Sequence, residues 1–283
     1  MACLFTTLRY NHAMMSATPS AADPFWQEMA GSPALSGHPL IMLAETVSTN
    51  SDALQLGRRG APSGTVVIAR SQTGGRGRLG KAWLSPAGSG LYFSMLMRPS
   101  LAPADLPKIT LAAGVALCRA VCRFCHPAAM IKWPNDLLID GKKCGGILTE
   151  SEFGKDMPAV VVLGIGLNVS TLPAAFPEEL RGKVTSLSQH SRETICRTTL
   201  LKNILAAIDT IMARMEGGDF AGILDQWRSF DATKGRRLTW VTTGRQAVTG
   251  ISLGPDNEGR LHIKDDQGRT HEVLSGDIRL QSF

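Results

Sequence analysis

Apolar positions recur along this chain with two periods, and the change from one to the other divides it. Residues 106–124, and the set Leu200, Leu201, Ile204, Leu205, Ile208, Ile211, Met212 and Met215, carry apolar side chains at helical spacing. They predict two helices, the second stopped by Gly217-Gly218. Residues 65–69, 91–97 and 160–169 are β-branched or apolar almost throughout and predict strands. Beyond residue 234 the pattern changes to short β-type runs at 238–242, 247–253, 261–264, 272–274 and 278–280, with Gly254-Pro255-Asp256-Asn257-Glu258-Gly259 and Asp265-Asp266-Gln267-Gly268 between them. The expected fold class is therefore α/β (α+β), with helices and strands over residues 40–233 and then a small β-barrel over 234–283. Residues 1–39 are rich in Ala, Ser, Pro and Met and are expected to form a weakly ordered extension, within which Met14 or Met15 offers a second start.

Two segments carry the chemistry. Residues 74–81 read Gly-Gly-Arg-Gly-Arg-Leu-Gly-Lys, and residues 132–136 read Lys-Trp-Pro-Asn-Asp. Gly75-x-Gly77-x-x-Gly80 fits a dinucleotide-binding fingerprint in form only. That fingerprint must open a helix and be followed about 20 residues later by a carboxylate for the ribose. Here residues 82–88 punctuate a loop, and no Asp or Glu occurs between Asp52 and Asp105. A phosphate-binding P-loop is excluded too, because Ala82 stands where the magnesium-binding hydroxyl is required. What remains is a basic glycine loop carrying Arg70, Arg76, Arg78 and Lys81 with no acidic residue. Arginines spaced by one glycine suit a carboxylate or phosphate ligand, while a solvated surface loop is the plain alternative.

Ile131-Lys132-Trp133 leads into Pro134, which disfavours helix before it and puts Lys132 at the end of an extended segment. Asn135 and Asp136 are expected to turn, and Asp140-Gly141 signals a hairpin with Lys142-Lys143 on the return strand. A snorkelling surface lysine is the plain reading of Lys132.

In order along the chain, Ser48-Thr49-Asn50, Gln72, Gly75-Arg76-Gly77-Arg78-x-Gly80, Trp83, Lys132-Trp133-Pro134-Asn135-Asp136, Lys143-x-Gly145-Gly146-Ile147-Leu148 and Gly164-Ile165-Gly166-Leu167-Asn168-Val169 resemble the biotin–protein ligases. The resemblance covers roughly residues 40–283 and is to the form without an N-terminal DNA-binding domain. Leu79, where many relatives have arginine, and Cys144, where many have a hydrophobic residue, depart from the pattern. The resemblance implies a catalytic domain with a mixed central sheet and flanking helices, of the class II aminoacyl-tRNA synthetase and biotin ligase type, followed by an SH3-like barrel. It implies activation of biotin by ATP and Mg2+ to biotinyl-adenylate, then transfer to a lysine of a biotin carboxyl carrier protein. Lys132, Arg76 and Arg78 would be catalytic. Ser48, Thr49, Asn50, Gln72, Arg76, Gly77, Arg78 and Lys132 would bind biotin, and Arg76, Arg78, Trp83, Lys132 and Asn168 would hold ATP. Metal ligands are not implied. Ser48-Thr49-Asn50 also suits the start of a helix over residues 51–56. A lipoate or octanoate ligase or transferase of the same fold is the near alternative.

Composition narrows the picture further. With 283 residues, 43% of them hydrophobic, the chain can bury a full core. A net charge of +6 favours anionic partners such as nucleotides or acidic carrier domains. No zinc-finger spacing, basic helix or aromatic RNA-binding signature marks a nucleic-acid reader, so sequence-specific DNA binding is not expected. The apolar run 159–167 is shorter than the roughly 20 residues of a membrane span, and no secretory signal opens the chain, so a cytoplasmic protein is expected, with homodimer formation left open. Cys118-x-x-x-Cys122-x-x-Cys125 has the spacing of an iron–sulfur radical enzyme, the remote alternative. The same spacing places the three thiols on one helix face as core cysteines, which is preferred.

Overall fold

The structure, a computed structural model, describes residues 23–153, 159–241, 247–274 and 276–280. Among these residues thirteen strands and six α-helices follow in the order α1 (Pro24–Met29), β1 (Ala34–Leu35), β2 (His38–Thr46), α2 (Thr49–Arg58), β3 (Val66–Gln72), β4 (Gly90–Met97), α3 (Lys108–Val121), β5 (Met130–Lys132), β6 (Asp136–Ile139), β7 (Lys142–Glu152), β8 (Val160–Asn168), α4 (Glu178–Arg181), α5 (Arg197–Glu216), α6 (Phe220–Ser229), β9 (Arg237–Val241), β10 (Ala247–Pro255), β11 (Leu261–Asp265), β12 (Thr270–Val273) and β13 (Asp277–Leu280). Strands β1–β8 form one mixed sheet in the order β1-β2-β3-β4-β8-β7-β6-β5. Only β2 and β3 pair in parallel, across the α2 crossover.

Both faces of this sheet are covered, which is why its central strands read as unbroken apolar runs. On one face Val67, Leu96, Val160 and Val162 pack under α2 with Ala53, Leu54 and Leu56. On the other, Val66, Ile68, Phe93, Leu163 and Ile165 join the main core with α3, α5 and α6. Side chains alternate along a strand. Beyond Val160 and Val162, then, Gly164, Gly166 and Asn168 continue the α2 face where the helix has ended, and a cavity opens there.

The C-terminal strands form an antiparallel sheet in the order β12-β11-β10-β9-β13. Its buried residues Leu238, Leu261, Ile263, Val273 and Ile278 belong to the same continuous core as the main sheet. Among the described residues no ladder joins β12 to β13, so the strands expected to close a barrel are seen as an antiparallel sheet.

The expected weak order of residues 1–39 fails for the part that can be described. Asp23 Oδ1 accepts the Phe25 N–H at 3.2 Å and starts α1, which buries Phe25, Trp26 and Met29. Arg197 at the start of α5 pairs with Asp23 and lies 5.0 Å over the Phe25 ring, fastening the segment. A six-residue helix depends on such distant partners, so local pattern understates it. Residues 1–22 lie outside the described residues.

Candidate active site

Every expected site residue lines one cavity of about 250 Å³: Ser48, Thr49, Asn50, Gln72, Arg76, Gly77, Arg78, Trp83, Lys132 and Asn168. It lies between the open stretch of β8, the start of α2, the glycine loop and strand β13.

One end is neutral and hydrogen-bonded. Ser48 occupies the cap position of α2 but makes no capping bond; Gln72 Oε1 accepts the Thr49 N–H instead, at 2.9 Å. The Gln72 amide donates to Ser85 Oγ at 2.8 Å, so both ends of the side chain are fixed. Ser94 Oγ, fully buried, lies 2.7 Å from Thr49 Oγ1 and 2.5 Å from Asn50 Oδ1. Asn50 Nδ2 donates to Glu150 Oε2 at 2.7 Å, and Glu150 also accepts from Arg76 at 2.9 Å. Arg76 is thus tied by its guanidinium to Glu150, whereas the Arg78 guanidinium makes no hydrogen bond or ion pair among the described residues. Burial holds the Arg78 pKa below its ordinary value, against the pull of Asp136 and Asp277.

The other end is cationic. Lys132 ends β5, as the proline requires, and its ammonium lies 2.8 Å from Asp136 Oδ2. Lys143 Nζ lies 2.6 Å from the second oxygen of the same carboxylate. Burial alone would raise the Asp136 pKa, but Lys143 and Lys132 together bring it below the ordinary value. Asp136 is in strand β6, not in the turn expected of it; the turn is Trp133-Pro134-Asn135. Five cationic side chains and only two carboxylates, Asp136 and Asp277, line the cavity, so it is poised for an anion.

Glycines set its floor. A Cβ on Gly164 would lie 2.0 Å from Asn50 Oδ1, and one on Gly166 would lie 2.4 Å from the Trp83 indole. The Gly-x-Gly of β8 therefore makes room for one polar and one aromatic side chain. Trp83 also lies against Gly146, with Lys143 Nζ 5.4 Å from its ring. Its Nε1 and Asn168 Oδ1 are buried polar atoms without a hydrogen-bond partner among the described residues, both on residues that line the cavity. Unpaired buried groups are costly and invite a ligand.

The glycine loop does not open a helix. Beyond Gln72 it folds back on itself, with Trp83 N–H donating to Gly75 O at 2.8 Å and Gly77 N–H to Lys81 O at 2.7 Å. A Cβ on Gly75 would meet Trp83 O at 2.4 Å, so glycine is required there. Lys81 reaches the C-terminal sheet and pairs with Asp277 at 2.6 Å.

Asp136, Lys143, Glu150, Ser94 and Asp277 were not among the expected site residues. Lys143 had a signal: a two-residue Asp140-Gly141 turn puts it opposite Leu138, on the face of Asp136. The cysteines form part of the core instead. Cys118 is buried in α3 and donates to Ala129 O at 3.0 Å, with Cys122 and Cys125 packed beside that core. They do not bring three ligand atoms together among the described residues.

Residues 43–168 match the family model for the biotin/lipoate A/B protein ligase family. The bifunctional ligase/repressor BirA of Bacillus subtilis is 36% identical over 82% of this chain and 71% of its own. The biotin–[acetyl-CoA-carboxylase] ligase of Paracoccus denitrificans is 33% identical over 81% of this chain and 95% of its own. In structure, the biotin protein ligase from Aquifex aeolicus in complex with biotin and ATP superposes with a TM-score of 0.73 and 30% identity, over 86% of this chain and 98% of that one. The cavity's paired polar and cationic ends and these likenesses agree: the chain belongs to the biotin/lipoate A/B protein ligase family, among its biotin protein ligases.

Proposed function

We propose that this protein activates biotin with ATP and transfers it to a lysine of a biotin carboxyl carrier protein or domain. The observation that carries the reading is the adjacency, in one cavity, of a neutral amide-and-hydroxyl end and a cationic end. Biotin's ureido ring offers two N–H donors and a carbonyl, which the groups of Ser48, Thr49, Asn50 and Gln72 can match. Its carboxylate would then point toward Lys132 and Lys143.

In the first step a carboxylate oxygen attacks the α-phosphorus of ATP, and the bond from that phosphorus to the bridging oxygen breaks. Pyrophosphate leaves with the electron pair, and biotinyl-adenylate remains. Two anions must meet, so Lys132, Arg78 and Arg76 serve by offsetting repulsion and stabilising charge at phosphorus. Asp136 keeps two ammonium groups side by side. Trp83 and Asn168 are assigned to the nucleotide, the free Asn168 Oδ1 suiting an amino group as donor. In the second step a neutral carrier lysine attacks the mixed anhydride; an amide forms, AMP leaves, and the amine loses its proton to solvent.

The cavity's own side chains do not make a magnesium site. Asp136 is taken by Lys132 and Lys143, and Asp277 by Lys81. Magnesium is therefore assigned to the triphosphate oxygens, which it favours over all-protein cages. Among the described residues no helix is long and apolar enough to cross a membrane.

Incubation with ATP, a carrier domain and either biotin, lipoate or octanoate tests the reading by mass spectrometry of the acceptor lysine. Biotin should be attached and lipoate should not. Equal or better attachment of lipoate would favour the other branch of the family.

A further inference from the structure

Lys132 and Trp133 are both held by the C-terminal sheet. The Trp133 side chain is buried, and its Nε1–H donates at 2.9 Å to the carbonyl of Gly259, in the turn between β10 and β11. The Lys132 ammonium donates at 3.3 Å to the carbonyl of Ile278, in β13. Two adjacent residues of the catalytic motif thus answer to two separate parts of one distant sheet.

The β10–β11 turn is both rigid and docked. Asp256 Oδ1 accepts the N–H groups of Glu258 and Arg260, each at 2.9 Å, and its Oδ2 faces His262 Nε2 at 3.1 Å. Lys108 of α3 pairs with Glu258 at 2.8 Å, and Arg228 of α6 donates to Pro255 O at 3.2 Å and Asn257 Oδ1 at 3.0 Å. Gly259 has φ 82°, and a Cβ there would lie 2.4 Å from Leu111 Cδ1, so the backbone itself seats against α3.

The same turn is built a second time nearby, without the docking. Asp265-Asp266-Gln267-Gly268-Arg269-Thr270-His271 repeats the Asp, Gly, Arg and His spacing of residues 256–262. Asp265 Oδ1 accepts from Gln267 N at 3.0 Å and Arg269 N at 2.9 Å, and its Oδ2 faces His271 Nε2 at 2.7 Å. Gly268 has φ 81°, but a Cβ there meets nothing within 4 Å. Local turn chemistry is shared by the pair; the seat against the catalytic unit distinguishes them.

We propose that the β10–β11 turn is a positioning element for adenylation, acting through the Gly259 carbonyl on Trp133, and that Trp133 is a positioning residue for Lys132. The inference rests on the function proposed for the cavity. A buried N–H without a partner is expensive, so the indole stays on that carbonyl and fixes the direction in which the chain leaves β5. Displacing a reacting group by about 1 Å costs on the order of a hundredfold in rate.

Full-length Trp133→Phe, Asp256→Asn and Asp265→Asn test the proposal. Phenylalanine keeps an aromatic ring in the site but removes the N–H. The Asp256 and Asp265 variants weaken the docked and undocked turns by the same chemistry. Three measurements are needed: single-turnover pyrophosphate release without carrier, biotin affinity by calorimetry, and reactivity of Lys132 toward an amine reagent by mass spectrometry. W133F and D256N should slow pyrophosphate release about tenfold or more, with biotin affinity within about twofold of the original. Their Lys132 should react faster with the reagent, while D265N should match the original protein in every readout. Unchanged release and Lys132 reactivity in W133F would overturn the proposal, as would equal effects of D256N and D265N. If the unaltered protein released no pyrophosphate with biotin, the proposed function would fall, and the Lys132 reactivities would still decide the positioning role.

Discussion

Alanine at Gly164 or at Gly166 should disable one half of the cavity and spare the other. The two residues sit on the same face of β8. A methyl on Gly166 would lie 2.4 Å from Cε2 and Nε1 of Trp83, where carbon contacts normally settle at about 3.5–4.0 Å, so something must move by roughly 1 Å. The strand cannot retreat, because Gly166 is paired with Tyr92 on one side and Gly146 on the other. The indole must therefore swing. Overpacking of this kind costs about 1–3 kcal/mol, and at roughly 1.4 kcal/mol per decade that weakens a ligand resting on the indole by about five- to a hundredfold. A methyl on Gly164 would instead lie 2.0 Å from Asn50 Oδ1 and break its contact with Ser94. Calorimetry with biotin alone, and with a non-hydrolysable ATP analogue alone, reads the two halves separately. G164A should lose biotin affinity and keep the analogue within about threefold, and G166A the reverse. Equal loss of both ligands in both variants, tracking a fall in melting temperature, would refute this division of the cavity.

Other variants separate the cations. Lys132→Ala should suppress pyrophosphate release by about 10²-fold or more, since a preorganised charge is lost at the reacting groups. Arg78→Gly should still form adenylate but release it faster, so a bystander-labelling assay should rise; abolished adenylation in R78G with intact adenylation in K132A would reverse the two roles. Asp136→Asn leaves two ammonium groups facing a neutral amide in a buried site and should cost about 3–5 kcal/mol in urea melts at pH 7. Because the folded carboxyl titrates below its ordinary 3.8, that contribution is complete above the unfolded value and is lost only as pH falls through the depressed one. The gap between D136N and the original protein should thus hold from pH 7 to about 5 and close only in strong acid. No sequence-specific operator binding is expected of this chain; tight, single-site binding at physiological salt in a gel-shift titration would contradict that.

What the sequence made legible was local. Asp140-Gly141 announced the β6–β7 hairpin, and both residues indeed have positive φ, 50° and 70°. Pro134 placed Lys132 at a strand end, and the ordered motifs contain ten residues that line one cavity. Pairings between distant segments were not legible. Glu150 meets Asn50 and Arg76 from 100 and 74 residues away, and its charge alone gave no sign that it joins the start of α2 to the glycine loop. Ser48-Thr49-Asn50 announced a helix over 51–56, but α2 already begins at Thr49 and runs to Arg58, and the cap comes from Gln72, which the β2–β3 parallel register brings alongside. The glycines of β8 were motif letters until Asn50 and Trp83 gave each a physical reason.

The most direct measurement of the central claim is the burst of pyrophosphate from stoichiometric enzyme mixed with ATP and biotin in the absence of any carrier. If one cavity holds both substrates and its cations join them, about one pyrophosphate per active site should be released rapidly with biotin, with no comparable burst for lipoate or octanoate. No burst with biotin, or an equal one with lipoate, would contradict the account.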